Sequence, residues 1–94
     1  MVLGLTLPLS LANYHHTAVH LLTLTPVNAN VHSVHLPDGT HVGNLKRIGT
    51  VWKFKAVGYD TQGSVEPGGG LLTDRHNTEF ATPDAAEVSA KLTT

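Results

Sequence analysis

The sequence predicts a mainly β protein: a small, strongly bent antiparallel sheet or barrel with extra N-terminal strands and one short C-terminal helix. Three observations predict this fold class. Apolar and polar residues alternate with a period of two, turn sequences separate the alternating stretches, and the period becomes helical near the C-terminus. The 94 residues have room for one domain, residues 1–94.

The clearest predicted strand runs over residues 51–59. Its aromatic residues, Trp52 and Phe54, alternate with two lysines, Lys53 and Lys55. Such alternation is typical of a strand with one face against the core and the other in solvent. We therefore expect the two aromatic side chains to be buried and the two lysines to be solvated.

Further strands are predicted on both sides of this one, at residues 3–11, 18–25, 31–36, 40–48 and 64–66. Leucine alternates with small or polar residues in the first of them, and Pro8 predicts that it is an edge strand. We interpret this apolar run as structure rather than as a signal peptide, and it is too short to span a membrane. A helix is the alternative for the second segment.

The turns and the C-terminal helix have their own sequence signals. Asp38-Gly39 and Gly49-Thr50 are typical of tight turns between strands. Thr82 followed by Pro83 predicts an N-cap and a first helical turn, and apolar residues then recur at helical spacing at positions 85, 88 and 92.

Composition excludes several kinds of chemistry. The chain has no cysteine, which excludes disulfides, cysteine-ligated metals and thiol nucleophiles. It has no phosphate-binding loop motif, nucleophile elbow or paired-carboxylate motif. We therefore predict a non-enzymatic protein without a cofactor; an enzyme that uses His76 with Asp74 for acid/base chemistry is the weakest alternative.

Positive charge is concentrated in one hairpin-sized stretch, although the net charge is −1. No acid occurs over residues 39–59, which hold four of the six basic residues: Lys46, Arg47, Lys53 and Lys55. Basic residues interleaved with aromatic ones are typical of proteins that bind RNA or single-stranded nucleic acid. We expect these four side chains to contact phosphates, with Tyr59 or His41 as stacking candidates.

A glycine-rich loop is a second candidate site. Backbone amides of Gly68, Gly69 and Gly70, together with Arg75 and His76, are suited to binding an anion. The alternative is a hydrogen-bonded turn in which a side chain such as Asn77 satisfies nearby backbone groups.

Metal binding is one possible role for the seven histidines. His16 and His20 share a face only if their segment is helical, and His32 and His35 lie on opposite faces of a strand. No acid in the first 37 residues completes a site. We therefore predict no metal site, and surface or hydrogen-bonded histidines instead.

Residues 36–45 resemble the first motif of the Sm-like RNA-binding proteins, and residues 66–71 resemble the second. The matching residues are Gly39, Val42, Gly43, Leu45, Gly68 and Leu71. The resemblance covers about residues 30–72 and implies a bacterial variant of this small SH3-like barrel, with RNA binding and ring assembly. Where the family contacts RNA bases, this chain has Gly49, Lys53 and Pro67, and none is of the family's residue type.

Two functions follow from these observations. The first is a small Sm-like module that binds RNA or single-stranded nucleic acid through the basic hairpin. The alternative is a protein-interaction or self-assembly domain, since no charged residue precedes Asp38 and an apolar edge strand favours pairing between chains. We expect a cytoplasmic homo-oligomer that does not interact with membranes.

Overall fold

A computed structural model describes residues 21–94 of the chain, and these residues form one antiparallel sheet and one helix. The strands are β1 (Thr23–Asn28), β2 (Val31–His35), β3 (His41–Ile48), β4 (Val51–Tyr59), β5 (Val65–Pro67) and β6 (Glu79–Phe80). The helix α1 spans Ala85–Leu92, and a short 3-10 turn spans Thr73–Arg75.

The strands of the described residues form an open sheet. Strands β1 to β4 follow one another in order, and β5 and β6 both pair with the outer edge of β4. The predicted mainly β fold class is confirmed, in the form of an open, bent sheet with a short C-terminal helix. The strand predicted at residues 3–11 lies outside the described residues.

The predicted hairpin between β3 and β4 is confirmed. The pairing runs from Gly43 opposite Ala56 to Ile48 opposite Val51, so Gly49 and Thr50 form a two-residue loop. Gly49 has φ +63°, which a glycine at the first position of such a loop adopts without steric cost.

The turn between β2 and β3 is closed by Asp38, whose carboxylate accepts a hydrogen bond from the Thr40 amide at 2.8 Å. The side chain and the backbone of Thr40 both lower the pKa of Asp38. This is the local Asp-Gly turn that the sequence predicts.

The core lies between one face of the sheet and α1. Trp52 and Phe54 are buried, as predicted, and Phe54 is completely inaccessible to solvent. From the helix, Val88 and Leu92 pack against them. Ser89 is also buried, and its hydroxyl accepts the amide hydrogen of Leu22 at 3.1 Å. This bond ties the helix to the chain just before β1.

Two predicted boundaries are wrong at the ends of the described chain. The strand predicted at residues 18–25 is found at Thr23–Asn28 and contains Pro26. Among residues 21–94, β1 is the last strand in the order, and an edge strand tolerates proline because it can lose one donor. The helix is capped by Asp84 rather than Thr82, because the Asp84 carboxylate accepts the Glu87 amide at 2.9 Å.

Candidate nucleic-acid interface

Three of the predicted basic residues share the face of the sheet that points away from the core. Lys46 lies directly opposite Lys53, and Lys55 is two residues further along β4. Residues directly opposite each other in an antiparallel pair share a face, as do residues two apart on one strand. We call this surface the basic face.

Arg47 does not join this group. It pairs with Trp52, whose side chain is in the core, and its Nε donates to the Gly49 carbonyl at 3.4 Å. Neighbouring residues on a strand point to opposite faces, so Lys46 and Arg47 are separated by the sheet. Strict alternation along β3 places Lys46 and Arg47 on opposite faces, and this could be predicted from the sequence alone.

The charges on the basic face are only partly compensated. Lys53 forms an ion pair with Glu79 at 3.5 Å, and Lys55 donates to the side-chain oxygen of Asn77 at 2.5 Å. Lys46 makes no ion pair within residues 21–94. Like charges directly opposite on a sheet destabilise it, so an anion bound between Lys46 and Lys53 would relieve a repulsion.

A β-bulge brings His41 to the same face. Val34 pairs with Gly43 whereas His35 pairs with His41, so Val42 is an extra residue in β3. Val42 and Gly43 are both buried, and the alternation is therefore reversed at this point. Asn44 pairs with Lys55 and so lies on the basic face. His41 lies on that face too, although it is three positions before Asn44 and a regular strand would place the two on opposite faces.

His41 is held by two hydrogen bonds. Its Nε2 lies 3.0 Å from the side-chain oxygen of Asn44, which can only accept, so Nε2 carries the hydrogen. Its Nδ1 therefore accepts from the Tyr59 hydroxyl at 2.8 Å. His35 stacks on the His41 ring with centroids 4.9 Å apart. The two stacking candidates from the sequence, His41 and Tyr59, thus adjoin each other, and His35 is an addition that the sequence did not indicate.

The glycine-rich loop packs against β4 instead of presenting free amides. The Gly68 amide donates to the Ala56 carbonyl at 2.7 Å, and the Gly69 amide donates to Glu66 at 3.1 Å. A Cβ on Gly70 would lie 2.3 Å from the Val57 carbonyl oxygen. Two of the three amides are therefore occupied, and the third glycine allows close contact of loop and strand.

Arg75 and His76, predicted to act together, line different cavities. The Arg75 guanidinium donates to the carbonyl of Thr94. Asp74, the predicted acid/base partner of His76, lines the same cavity as Arg75. The structure therefore separates His76 from Asp74 and Arg75, whereas Gly68 of the predicted loop site lines the same cavity as His76.

His76 instead faces the basic residues. Its Nδ1 accepts the Ala56 amide hydrogen at 3.0 Å, so the neutral ring carries its hydrogen on Nε2. The ring lines a cavity of about 320 Å³ together with Lys46 and Lys55. We call it the basic cavity. It is lined by one histidine that can donate a hydrogen bond and by two lysines.

A second cavity adjoins the first. It has a volume of about 310 Å³, is lined by His41, Tyr59 and Leu71, and shares Val57 with the basic cavity. We call it the aromatic cavity. Tyr59 and Leu71 are 48% and 71% exposed, so this cavity has an apolar rim that solvent can reach.

The remaining described histidines do not gather around a metal site. His32 and His35 lie on opposite faces of β2, as predicted, and His32 meets the Trp52 ring edge-on at 5.1 Å. Within residues 21–94, no three side chains of histidine or acid are placed to hold a metal ion. The predicted pair His16 and His20 lies outside the described residues.

Comparison with protein-family models, curated proteins and solved structures finds no match to this chain. In the described part of the chain, no helix has the length and apolar character needed to cross a bilayer.

Proposed function

We propose that this protein is a non-enzymatic module that binds RNA or single-stranded nucleic acid through the basic face. The observation that carries the proposal is that Lys46, Lys53 and Lys55 share one face with the His41–Tyr59 pair. Cations beside accessible rings are the combination with which proteins hold phosphates and stack bases.

The net charge of −1 makes this local arrangement necessary. A protein without an overall positive field attracts a polyanion only through a local patch. The basic face combines three cations with one adjacent acid, Glu79. Each phosphate that a lysine neutralises releases counterions, which favours binding at low salt.

The Sm-like module remains part of this proposal, because the matches at Gly39, Val42, Gly43 and Leu45 support it. The basic face is a different surface from the one that the resemblance implies. Of the positions where the family contacts bases, Lys53 alone belongs to the basic face, and it would contact phosphate.

The direct test compares binding of labelled single strands by the wild-type protein and by a variant with Lys46→Gln, Lys53→Gln and Lys55→Gln. The variant should lose binding, and the slope of log affinity against log salt should flatten by about 0.7 for each lost phosphate contact. Solvated charges contribute little to stability, so the melting temperature should change little.

Arg47→Gln and Lys91→Gln are matched controls, because they remove one positive charge each outside the basic face. Both should retain near wild-type affinity. If the triple variant binds as well as wild type, or if Arg47→Gln alone abolishes binding, the basic face is not the nucleic-acid interface.

A self-assembly domain is the second candidate, and the edge of the sheet favours it. Strand β1 pairs with β2 on one side, and on its other side it has no partner strand among the described residues. Val27 on this strand is 62% exposed. An unpaired edge with apolar side chains promotes pairing between chains. Sedimentation at low and high salt separates the candidates, because apolar assembly persists in salt whereas phosphate binding weakens.

A further inference from the structure

The basic and aromatic cavities adjoin, and their chemistry is that of the two halves of a nucleotide. We propose that together they form a subsite for one unpaired nucleotide, with a phosphate in the basic cavity and the base in the aromatic cavity. This inference rests on the proposed nucleic-acid function and adds to it a preference for single strands.

The phosphate half is defined by donors. Lys46 and Lys55 supply two charged donors, and the Nε2–H of His76 supplies a neutral one. No acidic residue is among those that line this cavity. The bond from the Ala56 amide fixes which ring nitrogen of His76 carries the hydrogen, so the donor is oriented before any ligand arrives.

The base half is defined by a floor without side chains and by an apolar rim. Gly58 and Gly70 line this cavity, and a Cβ on Gly58 would lie 2.6 Å from the Gly70 nitrogen. Backbone therefore packs directly on backbone beneath it. Tyr59 and Leu71 stand exposed beside this floor, and a planar base can bury apolar surface against both.

The location of exposed apolar side chains supports a ligand here. Among the described residues, six large hydrophobic side chains are exposed, and three of these, Tyr59, Val65 and Leu71, line the two cavities. Solvent-exposed apolar groups gathered around a cavity beside cations mark a binding site.

A base can enter the aromatic cavity only when it is unstacked and unpaired. Phosphate contacts alone are equally available to a duplex and to a single strand. The subsite therefore predicts that a short single strand binds more tightly than the same strand annealed to its complement.

Amide chemical shifts of the full chain, titrated with inorganic phosphate, adenosine and adenosine 5′-monophosphate, test the two halves separately. Phosphate should shift the signals of Lys46, Lys55 and His76, and adenosine those of Tyr59, Gly70 and Leu71. The mononucleotide should shift both sets with higher affinity than either fragment. If it shifts only the phosphate set, the base half does not exist.

Substitutions in the aromatic cavity give the second test. Leu71→Ala and Tyr59→Leu should each lower the ratio of single-strand affinity to duplex affinity. For Tyr59→Leu, which removes the aromatic ring, the decrease should be about tenfold. Val27→Ala removes an equally exposed apolar side chain on β1 and is the matched control. Thermal unfolding of each variant confirms that it is folded.

The outcomes distinguish this inference from the proposed function. If the wild-type protein binds no polynucleotide, both the proposed function and the nucleotide subsite are wrong. Equal affinity for strand and duplex, with binding still abolished by the lysine substitutions, overturns the nucleotide subsite and leaves the basic face as the interface.

Discussion

The imidazole of His76 accepts a hydrogen bond from the backbone amide of Ala56 at 3.0 Å and so acts as part of the sheet. On this edge of β4, the backbone of Phe54 bonds to Asn77 and Thr78, and the Ala56 carbonyl accepts from Gly68. The ring fills the gap between these contacts. It therefore completes the edge of β4 and also orients a donor into the basic cavity.

We expect His76→Ala to destabilise the protein by about 1–3 kcal/mol, because it leaves the Ala56 amide without its partner in a part-buried position. Urea unfolding measures this loss. His35→Ala is the control, since His35 is half-buried on the same sheet and its ring stacks only on His41. Equal stability of the His76 and His35 variants would contradict a structural role for the Ala56 bond.

His32→Leu should behave in the opposite way. The Nδ1 of His32 is buried and has no hydrogen-bond partner among the described residues, while the ring meets Trp52 edge-on. A buried polar atom without a partner costs free energy, and an apolar side chain of similar size removes that cost. We expect the leucine variant to be as stable as wild type or more stable in urea unfolding. A loss above about 1 kcal/mol would contradict the prediction that the buried Nδ1 of His32 destabilises the fold.

Burial of the aromatic residues on β4 predicts a large effect from truncation. Phe54→Ala should cost about 3–5 kcal/mol, because it removes a ring that is completely buried in the core. Lys55→Ala, on the next residue of the same strand, should cost much less.

Native Trp52 fluorescence should be blue-shifted relative to free indole. Emission like that of a tryptophan in water would contradict the burial of this strand face.

Gly43 allows the Phe54 ring to pack against the backbone of β3. A Cβ at this position would lie 2.4 Å from the Phe54 ring and 2.6 Å from the Lys55 carbonyl oxygen. The ring therefore packs directly on the backbone of β3. Gly43→Ala is expected to destabilise the protein although it adds a single methyl group, because a well-packed core tolerates extra volume poorly.

The helix cap distinguishes the observed start of α1 from the predicted one. Asp84→Ala should cost about 1 kcal/mol, since its carboxylate accepts the Glu87 amide at the first turn. Thr82→Ala, at the position that the sequence predicts as the N-cap, should have little effect. Thermal unfolding of the two variants decides between the two positions, and a larger loss for Thr82→Ala would contradict the observed cap.

Strand β4 could be predicted from the sequence because its alternation is uninterrupted, and its bounds match the predicted residues 51–59. The bulge at Val42 could not, because it depends on how β2 pairs with β3. Strand β6 has two residues, too few for a period to be recognised. Local sequence shows alternation and turns, but not which distant segments meet.

Some residues of the candidate site could likewise be predicted from the sequence, and others could not. Three lysines follow from alternation, and the position of Arg47 follows from the same rule. The position of His76 depends on contacts with β4: the Ala56 amide donates to its ring, and the next residue, Asn77, donates its amide hydrogen to the Phe54 carbonyl. These contacts join segments that are distant in sequence. For this reason the sequence grouped His76 with Arg75, its neighbour along the chain, and not with Lys46 and Lys55.

The ion pair between Lys53 and Glu79 leads to a prediction about binding itself. Glu79 pairs with Lys53 beside the basic face, so under the proposed function its carboxylate would compete with a nucleic-acid phosphate for Lys53. Glu79→Gln removes this competition and one negative charge, and we expect affinity for a single strand to rise about twofold to fivefold at low salt. The salt dependence should become steeper, because Lys53 without its ion-pair partner can contact one more phosphate, and that phosphate then releases its condensed counterion.

Stability should change little in this variant, because an exposed ion pair contributes little to it. Glu87→Gln is the matched control: it removes the same charge from the Lys91 pair on α1, away from the basic face. Fluorescence anisotropy at several salt concentrations measures both variants. If Glu87→Gln raises affinity as much as Glu79→Gln, net charge alone accounts for the gain. If Glu79→Gln leaves affinity unchanged at low salt, Lys53 does not contact the nucleic acid, and the interface reduces to Lys46 and Lys55.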